Sequence, residues 1–269
     1  MNNEQPSRIE TPKPLISVCG KGGVGKTVFS ALLSKVMMEA GIKPLLLVDA
    51  DPVGGLTSAI GENIVGTLAA VKEQFIREVM AQGRDGAAEA AENLNYFILR
   101  ALVEHDSYSL LAMGHTTKKG CFCSANTLLR QALAAVIDPF SGVIIDAEAG
   151  IEQINREVTR DVNKVFVVVD ASKRSIDTLH AIAGMVDPAM VSVIINRASP
   201  SELSSLISGD GKLLLPGNLH FAGTIPEDET LKRYDRQGIS IWQLPFDNPA
   251  LQAVRNILQG QLDHLTKNL

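Results

Sequence analysis

Residues 19–27 decide how the rest of the chain is read, and they run Cys19-Gly20-Lys21-Gly22-Gly23-Val24-Gly25-Lys26-Thr27. An apolar run precedes them at Leu15 to Val18, and a helical pattern follows from Val28 to Ala40. The order predicts a strand, a glycine-rich loop and a helix start. The spacing Gly20-x-x-x-x-Gly25-Lys26-Thr27 is typical of a phosphate-binding loop, whose backbone N–H groups and helix dipole face an anion. An ordinary glycine-rich turn is the alternative, and the flanking strand and helix count against it.

The residues at the end of this loop suggest its chemistry. Lys26 is expected to reach the β- and γ-phosphates of a triphosphate, while the Thr27 hydroxyl ligates a magnesium ion. The backbone of residues 20–28 is expected to surround the phosphates, with Val28 contributing only its N–H group. The sequence therefore predicts a site for a nucleotide and Mg²⁺.

A second lysine makes the loop more distinctive. The run from Lys21 to Thr27 resembles the deviant phosphate loop of the MinD, ParA and nitrogenase-iron-protein group of dimerising ATPases. In that group the early lysine crosses the dimer interface to the partner's nucleotide, so the resemblance implies ATP, a homodimer and a catalytic role in trans for Lys21. A solvated surface lysine is the alternative that spacing alone leaves open. Val28 stands where the group usually has a second threonine, so one side-chain contact to the α-phosphate is expected to be missing.

Composition limits what can surround this loop. The 269 residues are 45% hydrophobic and 20% charged, and no apolar run approaches the ~20 residues of a membrane span. We expect a frayed tail at residues 1–14 and one domain at residues 15–269, with no stable membrane insertion. A net charge of −5 disfavours general nucleic-acid binding, and three cysteines fit a reducing cytoplasm.

Short apolar runs alternate with helical patterns along the chain. Such continuous runs are typical of parallel strands buried on both faces, so we predict an α/β fold with a single doubly wound, mostly parallel sheet flanked by helices. Ligands of such sheets lie at the carboxyl ends of the strands. The clearest predicted strands are Leu45 to Val48, Leu110 to Met113, Val143 to Ile145, Val165 to Val169 and Val191 to Ile195.

Two acidic stretches follow predicted strands. Asp51, in Asp49-Ala50-Asp51-Pro52, is expected to orient the attacking water, and the ATPase group has a matching Asp-x-Asp in its first switch. Asp49 would support the strand end, although a helix-cap aspartate is an alternative. Asp146 is expected behind the magnesium ion, and Gly150 could sense the γ-phosphate through its N–H group. Glu148 lies in the same loop, either as a solvent-facing carboxylate or as part of a nucleotide-dependent switch.

Later positions offer an adenine site. Asn196 ends a predicted strand, and an amide both donates and accepts, as an adenine edge requires. The resembled ATPases frame adenine with an asparagine here and with a loop that begins Ile-Pro. That resemblance implies roles for Asn196, Pro226 and Asp228. Plain strand-to-helix connections are the alternative.

The stretch Gly120-Cys121-Phe122-Cys123 carries two closely spaced thiols in a predicted loop. One chain supplies only two soft donors, so a four-sulfur site requires a two-fold dimer that brings Cys121 and Cys123 together with their copies. Nickel, zinc and copper(I) all suit such a site. Two small buried side chains are the alternative. Cys19, which ends an apolar strand, is expected in the core.

At this point the sequence resembles the CooC family, the nickel-insertion ATPases for carbon monoxide dehydrogenase. The resemblance covers residues 15–226, and its most specific part is Cys121-x-Cys123. It implies an ATPase that binds nickel at the dimer interface and serves a client, either carbon monoxide dehydrogenase or acetyl-CoA synthase. Val53-Gly54-Gly55 departs from the pattern, because an asparagine is often found there.

Three other functions fit part of the pattern. A MinD- or ParA-type spatial organiser would need a basic face or a basic amphipathic tail, and the last helical pattern, from Pro249 to Leu265, carries too few basic residues. An iron-protein-like reductase would take its two cysteines from separate segments. A metal-linked structural protein would lack ATP turnover.

Overall fold

The computed structural model describes residues 13–77, 96–115, 132–147, 162–183, 187, 190–206, 215–216 and 219–267. The strands are β1 Leu15–Cys19, β2 Leu45–Asp49, β3 Val103–Glu104, β4 Tyr108–Ala112, β5 Gly142–Asp146, β6 Lys164–Val169, β7 Val191–Asn196 and β8 His220–Ile225. Among the described residues the predicted doubly wound, mostly parallel sheet is confirmed, with these eight strands in the order β3-β4-β2-β5-β1-β6-β7-β8. All pairs are parallel except β3 with β4.

Helices cover the sheet, and residues 68–77, 96–100 and 132–136 are also helical. A 3-10 turn lies at Ile241–Gln243. The labelled helices are α1 Lys26–Glu39, α2 Gly55–Ile60, α3 Lys173–Ala183, α4 Pro200–Ser205, α5 Glu229–Gln237 and α6 Pro249–Lys267.

The core lies on both faces of the sheet, which explains the unbroken apolar runs. In β6, Val165 and Val167 pack into one cluster while Phe166 and Val168 pack into the other, on the side of α1 and α6. Alternate side chains of a strand point to opposite faces, so a strand covered on both sides needs apolar residues throughout. The same packing makes Cys19 a core residue, as expected, with no exposed surface.

Two strands differ from the sequence-based assignments by more than one residue at an end. The predicted strand Leu110 to Met113 begins two residues earlier in the structure, at Tyr108, and ends at Ala112. Ser109 interrupts the apolar run, although its side chain is buried. The two-residue strand β3 is not predicted from the sequence, because it is too short to show a period.

The final helix packs on the core, as its apolar stripe indicates. Leu251, Val254, Ile257 and Leu258 are all buried among the residues of α1 and the sheet. Within the described parts of the chain, every helix is too short or too polar to cross a membrane.

The strand order brings the carboxyl ends of neighbouring parallel strands into one row, which we call the strand-end face. Asp49 and Asp146 are direct partners in the register of β2 and β5. Asn196 ends β7, and Asp170 follows β6. These polar residues therefore gather on the strand-end face, and Asp49, Asp146 and Asn196 are among those singled out in the sequence.

Candidate functional site

The loop between β1 and α1 can be formed only with glycine at two of its positions. Gly20 has φ +144°, and a Cβ there would lie 2.2 Å from the carbonyl oxygen of Val168. Gly25 has φ +96°, and a Cβ there would lie 2.2 Å from Nδ2 of Asn196. Any side chain at either position would meet neighbouring atoms in a backbone region that L-residues avoid. The spacing of these glycines is thus a steric requirement of this loop.

Two side chains at the end of β7 donate hydrogen bonds to the loop between β1 and α1. Asn196 donates through Nδ2 to the Val24 carbonyl at 2.7 Å, and Arg197 donates through Nη2 to the Gly23 carbonyl at 2.6 Å. In a trans peptide the carbonyl and the next N–H group point in opposite directions. The N–H groups of Val24 and Gly25 therefore point away from β7, toward the concave side of the loop, where an anion would be bound.

The start of α1 offers further donors. Its N-cap, Gly25, provides no side-chain hydrogen bond, and the first turn carries no acidic residue. The first N–H groups of a helix need an acceptor, and an anion supplies one while meeting the positive end of the helix dipole. Lys26 is half-buried, and its ammonium group lies 3.3 Å from the Lys21 carbonyl. Val28 packs partly buried against the core, so its side chain takes no part in the polar site.

Asp146 is held by hydroxyl groups of α1. Thr27 donates through Oγ1 to Asp146 Oδ2 at 2.7 Å, and Ser30 donates to Oδ1 at 3.0 Å. Burial raises the pKa of Asp146 to about 6; the hydroxyl hydrogen bonds oppose this rise, and the charge of Asp49 adds to it. The carboxylate is thus desolvated beside a second carboxylate, which a cation would stabilise.

Asp49 is completely buried, and only one of its two carboxylate oxygens has a hydrogen-bond partner. Its Oδ2 accepts the backbone N–H of Thr57 at 2.8 Å and the Thr57 hydroxyl at 2.7 Å. Its Oδ1 is the one buried side-chain polar atom among the described residues that lacks a partner. Burial also raises the pKa of Asp49, although the hydrogen bonds from Thr57 oppose the shift.

These groups fit a magnesium ion. A hydroxyl and two adjoining carboxylates are hard oxygen donors, and Mg²⁺ usually takes only one or two protein carboxylates because water and phosphate supply its other ligands. The unpartnered oxygen of Asp49 is the kind of buried atom that such an ion or its water would satisfy. The described residues include no cluster of three or more His, Cys, Asp or Glu side chains suited to a fully protein-bound metal. Thr27 and Asp146, with Asp49 beside them, would hold the ion.

The other predicted site residues lie around this centre. Asp51 is half-buried in the turn that leads to α2, and its Oδ1 accepts the Val53 N–H at 2.9 Å. Lys21 is half-buried and close enough to influence Asp170. Partial burial opposes ionisation of Asp170, but hydrogen bonds from Ser172 and Ser175, together with the Lys21 charge, lower its pKa.

The residues predicted to frame adenine have other partners in this structure. Asn196 is 6% exposed, and its amide nitrogen is bonded to the phosphate loop. Asp228 caps α5 by accepting the Leu231 N–H at 2.8 Å, and its second oxygen accepts Nδ2 of Asn248 at 2.8 Å. Pro226 is exposed. Their contact with adenine stays a prediction. Cys121, Cys123, Glu148 and Gly150 lie outside the described residues.

Sequence reasoning misses four contributors to this site: Ser30, Thr57, Asp170 and Arg197. Asp170 has a detectable signal, because it directly follows a predicted strand, as Asp49 and Asp146 end theirs. Ser30 and Thr57 act through contacts between segments distant in sequence, so no local pattern identifies them. Arg197 has φ +58°, an uncommon conformation outside glycine that only the structure reveals.

The glycine loop, the uncapped helix and the paired carboxylates together define a phosphate-loop ATPase. Comparison with known proteins agrees: the chain belongs to the family described as "AAA domain", whose model matches residues 15–196. An uncharacterised ATP-binding protein of Methanocaldococcus jannaschii is 34% identical over 91% of this chain and 97% of its own length. The carbon monoxide dehydrogenase accessory protein CooC of Rhodospirillum rubrum is 30% identical over 92% of this chain and 95% of its own length.

Solved structures show the same fold. The MinD cell division protein of Aquifex aeolicus aligns with a TM-score of 0.65 at 20% identity, covering 93% of this chain and 97% of that one. A ParA family ATPase from Chlorobium tepidum aligns with a TM-score of 0.68 at 16% identity, covering 91% and 99%. The fold is thus that of the MinD and ParA ATPases.

Proposed function

We propose that this protein is a dimerising, ATP-hydrolysing metallochaperone that binds nickel through Cys121 and Cys123 and assists its insertion into carbon monoxide dehydrogenase or acetyl-CoA synthase. The observation that carries the proposal is the 30% identity to CooC along nearly the whole of both chains. The Cys-x-Cys motif adds the soft donors that such a function requires.

The position of Met113, which precedes the cysteines in the sequence, supports the proposal. The Met113 N–H donates to the Asp49 carbonyl at 2.8 Å, and the Met113 carbonyl accepts the Ala69 N–H at 2.9 Å. The chain therefore leaves β4 at the strand-end face beside Asp49, before it continues toward the cysteines. A dimer formed across this face would be able to join two nucleotide sites and four thiols.

The third cysteine is unsuited to metal binding. Cys19 is fully buried, and burial raises its thiol pKa to about 12, so the thiolate that metals prefer does not form at neutral pH. This leaves Cys121 and Cys123 as the thiols on which nickel binding depends. Four donors then require two chains, and we expect one nickel ion per dimer.

In the proposed cycle, ATP and magnesium close the dimer and hydrolysis opens it. Lys26 neutralises the phosphates, Asp51 orients the attacking water, and Lys21 contacts the nucleotide of the partner protomer. Metal and ATP would then each change the other's affinity by the same factor, because both act on one dimer equilibrium.

Anaerobic nickel titration with and without ATP, followed by mass measurement of the assembly, tests the proposal. We expect one nickel per dimer, loss of binding in Cys121→Ser/Cys123→Ser, and unchanged ATP binding in that variant. His115→Ala is the matched control. Its side chain is exposed, and His115 is the last described residue before Cys121 in the sequence. Nickel at one per monomer, or binding that survives the double substitution, contradicts the proposal.

If nickel does not bind at all while ATP still drives dimerisation, a spatial organiser of MinD or ParA type becomes the better assignment. A spatial organiser would share this fold but would not need Cys121 and Cys123, so nickel binding distinguishes the two functions. ATP turnover in the same preparation separates both functions from a structural protein.

A further inference from the structure

Helix α2 begins without a cap of its own. Its N-cap residue is Gly54, which provides no side-chain hydrogen bond. The carboxylate of Asp49, at the end of β2, performs this task from a distance by accepting the N–H and the hydroxyl of Thr57 on a single oxygen. Both residues are buried, at 0% and 3% exposure. A strand-end carboxylate is thereby fixed by a helix that follows it in sequence.

This arrangement selects which oxygen of Asp49 is free. Because both Thr57 donors engage Oδ2, the carboxylate group cannot rotate without breaking two hydrogen bonds, and Oδ1 remains unpartnered. Asp146, the register partner of Asp49, is bonded to the hydroxyl of Thr27. Register partners on neighbouring strands point to the same face of the sheet, so the free oxygen of Asp49 lies on the face that carries Asp146 and Thr27.

The helix also contacts the other side of the group. A Cβ on Gly55, the first residue of α2, would lie 3.3 Å from Oγ1 of Thr27. At its far end, the Ile60 carbonyl accepts the Ser240 hydroxyl at 2.7 Å, and Glu62 accepts a hydrogen bond from Tyr108. With both ends held, α2 has little freedom to shift unless the contact between Thr57 and Asp49 changes.

We infer that Thr57 is a positioning residue for magnesium, which it assists by holding Asp49 with Oδ1 free toward the ion or its water. This inference rests on the ATPase part of the proposed function and is independent of nickel. A group that orients a metal-supporting carboxylate typically contributes 10- to 100-fold to metal affinity. Loss of the Thr57 hydroxyl leaves the backbone N–H of Thr57 as the one remaining Thr57 donor to Oδ2, so the carboxylate is held less firmly.

The test is the Mg²⁺ concentration at which a fluorescent ADP analogue reaches half-maximal binding. Thr57→Val removes the hydroxyl at constant shape, and Thr57→Ala removes it without adding bulk. We expect both to need about 10-fold more Mg²⁺ than the parent. Thr57→Ser keeps the donor and should restore the parent value. Ser58→Ala, an exposed neighbour on the same helix, is the matched control.

Binding of the analogue in EDTA separates positioning from general damage. A positioning role leaves this magnesium-free affinity unchanged in all variants, whereas a merely structural role lowers it together with the magnesium response. Coincident Mg²⁺ curves for parent, Thr57→Val and Thr57→Ala would overturn the inference while leaving the ATPase assignment intact. Failure of the parent to bind the analogue at any Mg²⁺ concentration would overturn both.

Discussion

Thr27 and Asp146 join the phosphate loop to the neighbouring strand through one 2.7 Å hydrogen bond from Oγ1 to Oδ2. A hydroxyl that donates its hydrogen to a carboxylate keeps its oxygen lone pairs for a cation. The contact would therefore orient Thr27 for the magnesium role that we propose. Burial of the Asp146 charge nevertheless costs stability, and the hydrogen bond from Thr27 offsets only part of that cost.

Replacing Asp146 by asparagine should separate these two effects. The pKa of Asp146 is about 6 in the folded protein and 3.8 ordinarily, so the folded state binds more protons between these limits and stability falls as pH rises through this window. At pH 8 the full cost of the buried charge applies. We expect Asp146→Asn to melt at a higher temperature than the parent in EDTA at pH 8, with a smaller difference at pH 5. Circular dichroism melts test this, and a lower melting temperature at pH 8 contradicts it.

ATP hydrolysis should depend on Lys26 and Asp51 in different ways. Lys26→Ala removes a positive charge from the phosphates, so we expect kcat to fall about 100-fold or more and nucleotide binding to weaken. Asp51→Ala should slow turnover to a similar extent while still binding ATP, which traps the dimer. Asp106→Ala, at an exposed turn, is the control. Phosphate release and sedimentation measure the two effects, and a parental rate in Asp51→Ala removes that residue from the mechanism.

Lys21→Ala should retain nucleotide binding in the monomer and lose ATP-driven dimerisation. The reason is that Lys21 is expected to act on the partner's nucleotide, where its charge offsets that of the phosphates. Lys43→Ala removes an exposed lysine at the opposite end of the sheet, before β2, and serves as the control. Mass photometry with ATP reads the outcome directly. Dimerisation at the parental ATP concentration would exclude a role in trans.

Gly25→Ala should abolish nucleotide binding, whereas Gly41→Ala should not. Both glycines have similar φ values, +96° and +86°, but a Cβ at Gly41 meets nothing within 4 Å. The shared backbone strain costs about 1–2 kcal/mol. Only at Gly25 does the methyl group displace Asn196 and with it the loop. Isothermal titration measures the loss of ADP binding, and melting temperatures measure the stability lost to the shared strain. An equal loss of ADP binding in both variants would contradict the prediction.

Lys164 gives a second pH dependence, far from the nucleotide. Burial lowers its pKa from 10.5 to about 8. Between these values the unfolded chain binds more protons than the folded one, so stability rises with pH across that window. Lys164→Met should remove this rise and stabilise the protein at pH 7. Melting temperatures at pH 7 and pH 9.5 provide the check, and an unchanged slope in the variant would show that other groups cause it.

The fold is predictable from the sequence because its strands are buried on both faces. Val165 to Val169 can be assigned without knowledge of its neighbours, since a short uninterrupted run of β-branched and aromatic residues is typical of a strand covered on both sides. The phosphate loop is equally visible, because its glycines, Lys26 and Thr27 stand at a fixed spacing within one short stretch. Both features are patterns of neighbouring residues, which a sequence displays directly, whereas the steric need for Gly20 and Gly25 comes from Val168 and Asn196 on distant strands.

The contacts that complete the site are not local. The sequence leaves Asp49 open as strand-end support or as a helix cap, and in the structure it is both, because Thr57 returns to it from α2. The amide of Asn196 marks it as a polar site residue, but its bond to the Val24 carbonyl depends on β7 lying beside the loop. Such contacts depend on which segments are neighbours in the folded chain, and local sequence patterns do not show this.

The two edge strands of the described sheet, β3 and β8, are both poorly suited to pairing with a further strand. On one side β3 is only two residues long and antiparallel, and on the other the pairing of β8 with β7 shifts register between Val193 and Ile194, beside Gly223. Short and irregular edge strands discourage sheet extension between molecules. A second protomer would then not add on edge-to-edge, which agrees with the proposed dimer across the strand-end face. Two copies meeting there would bring their ATP sites face to face, so the extent of dimerisation would depend on whether nucleotide is bound.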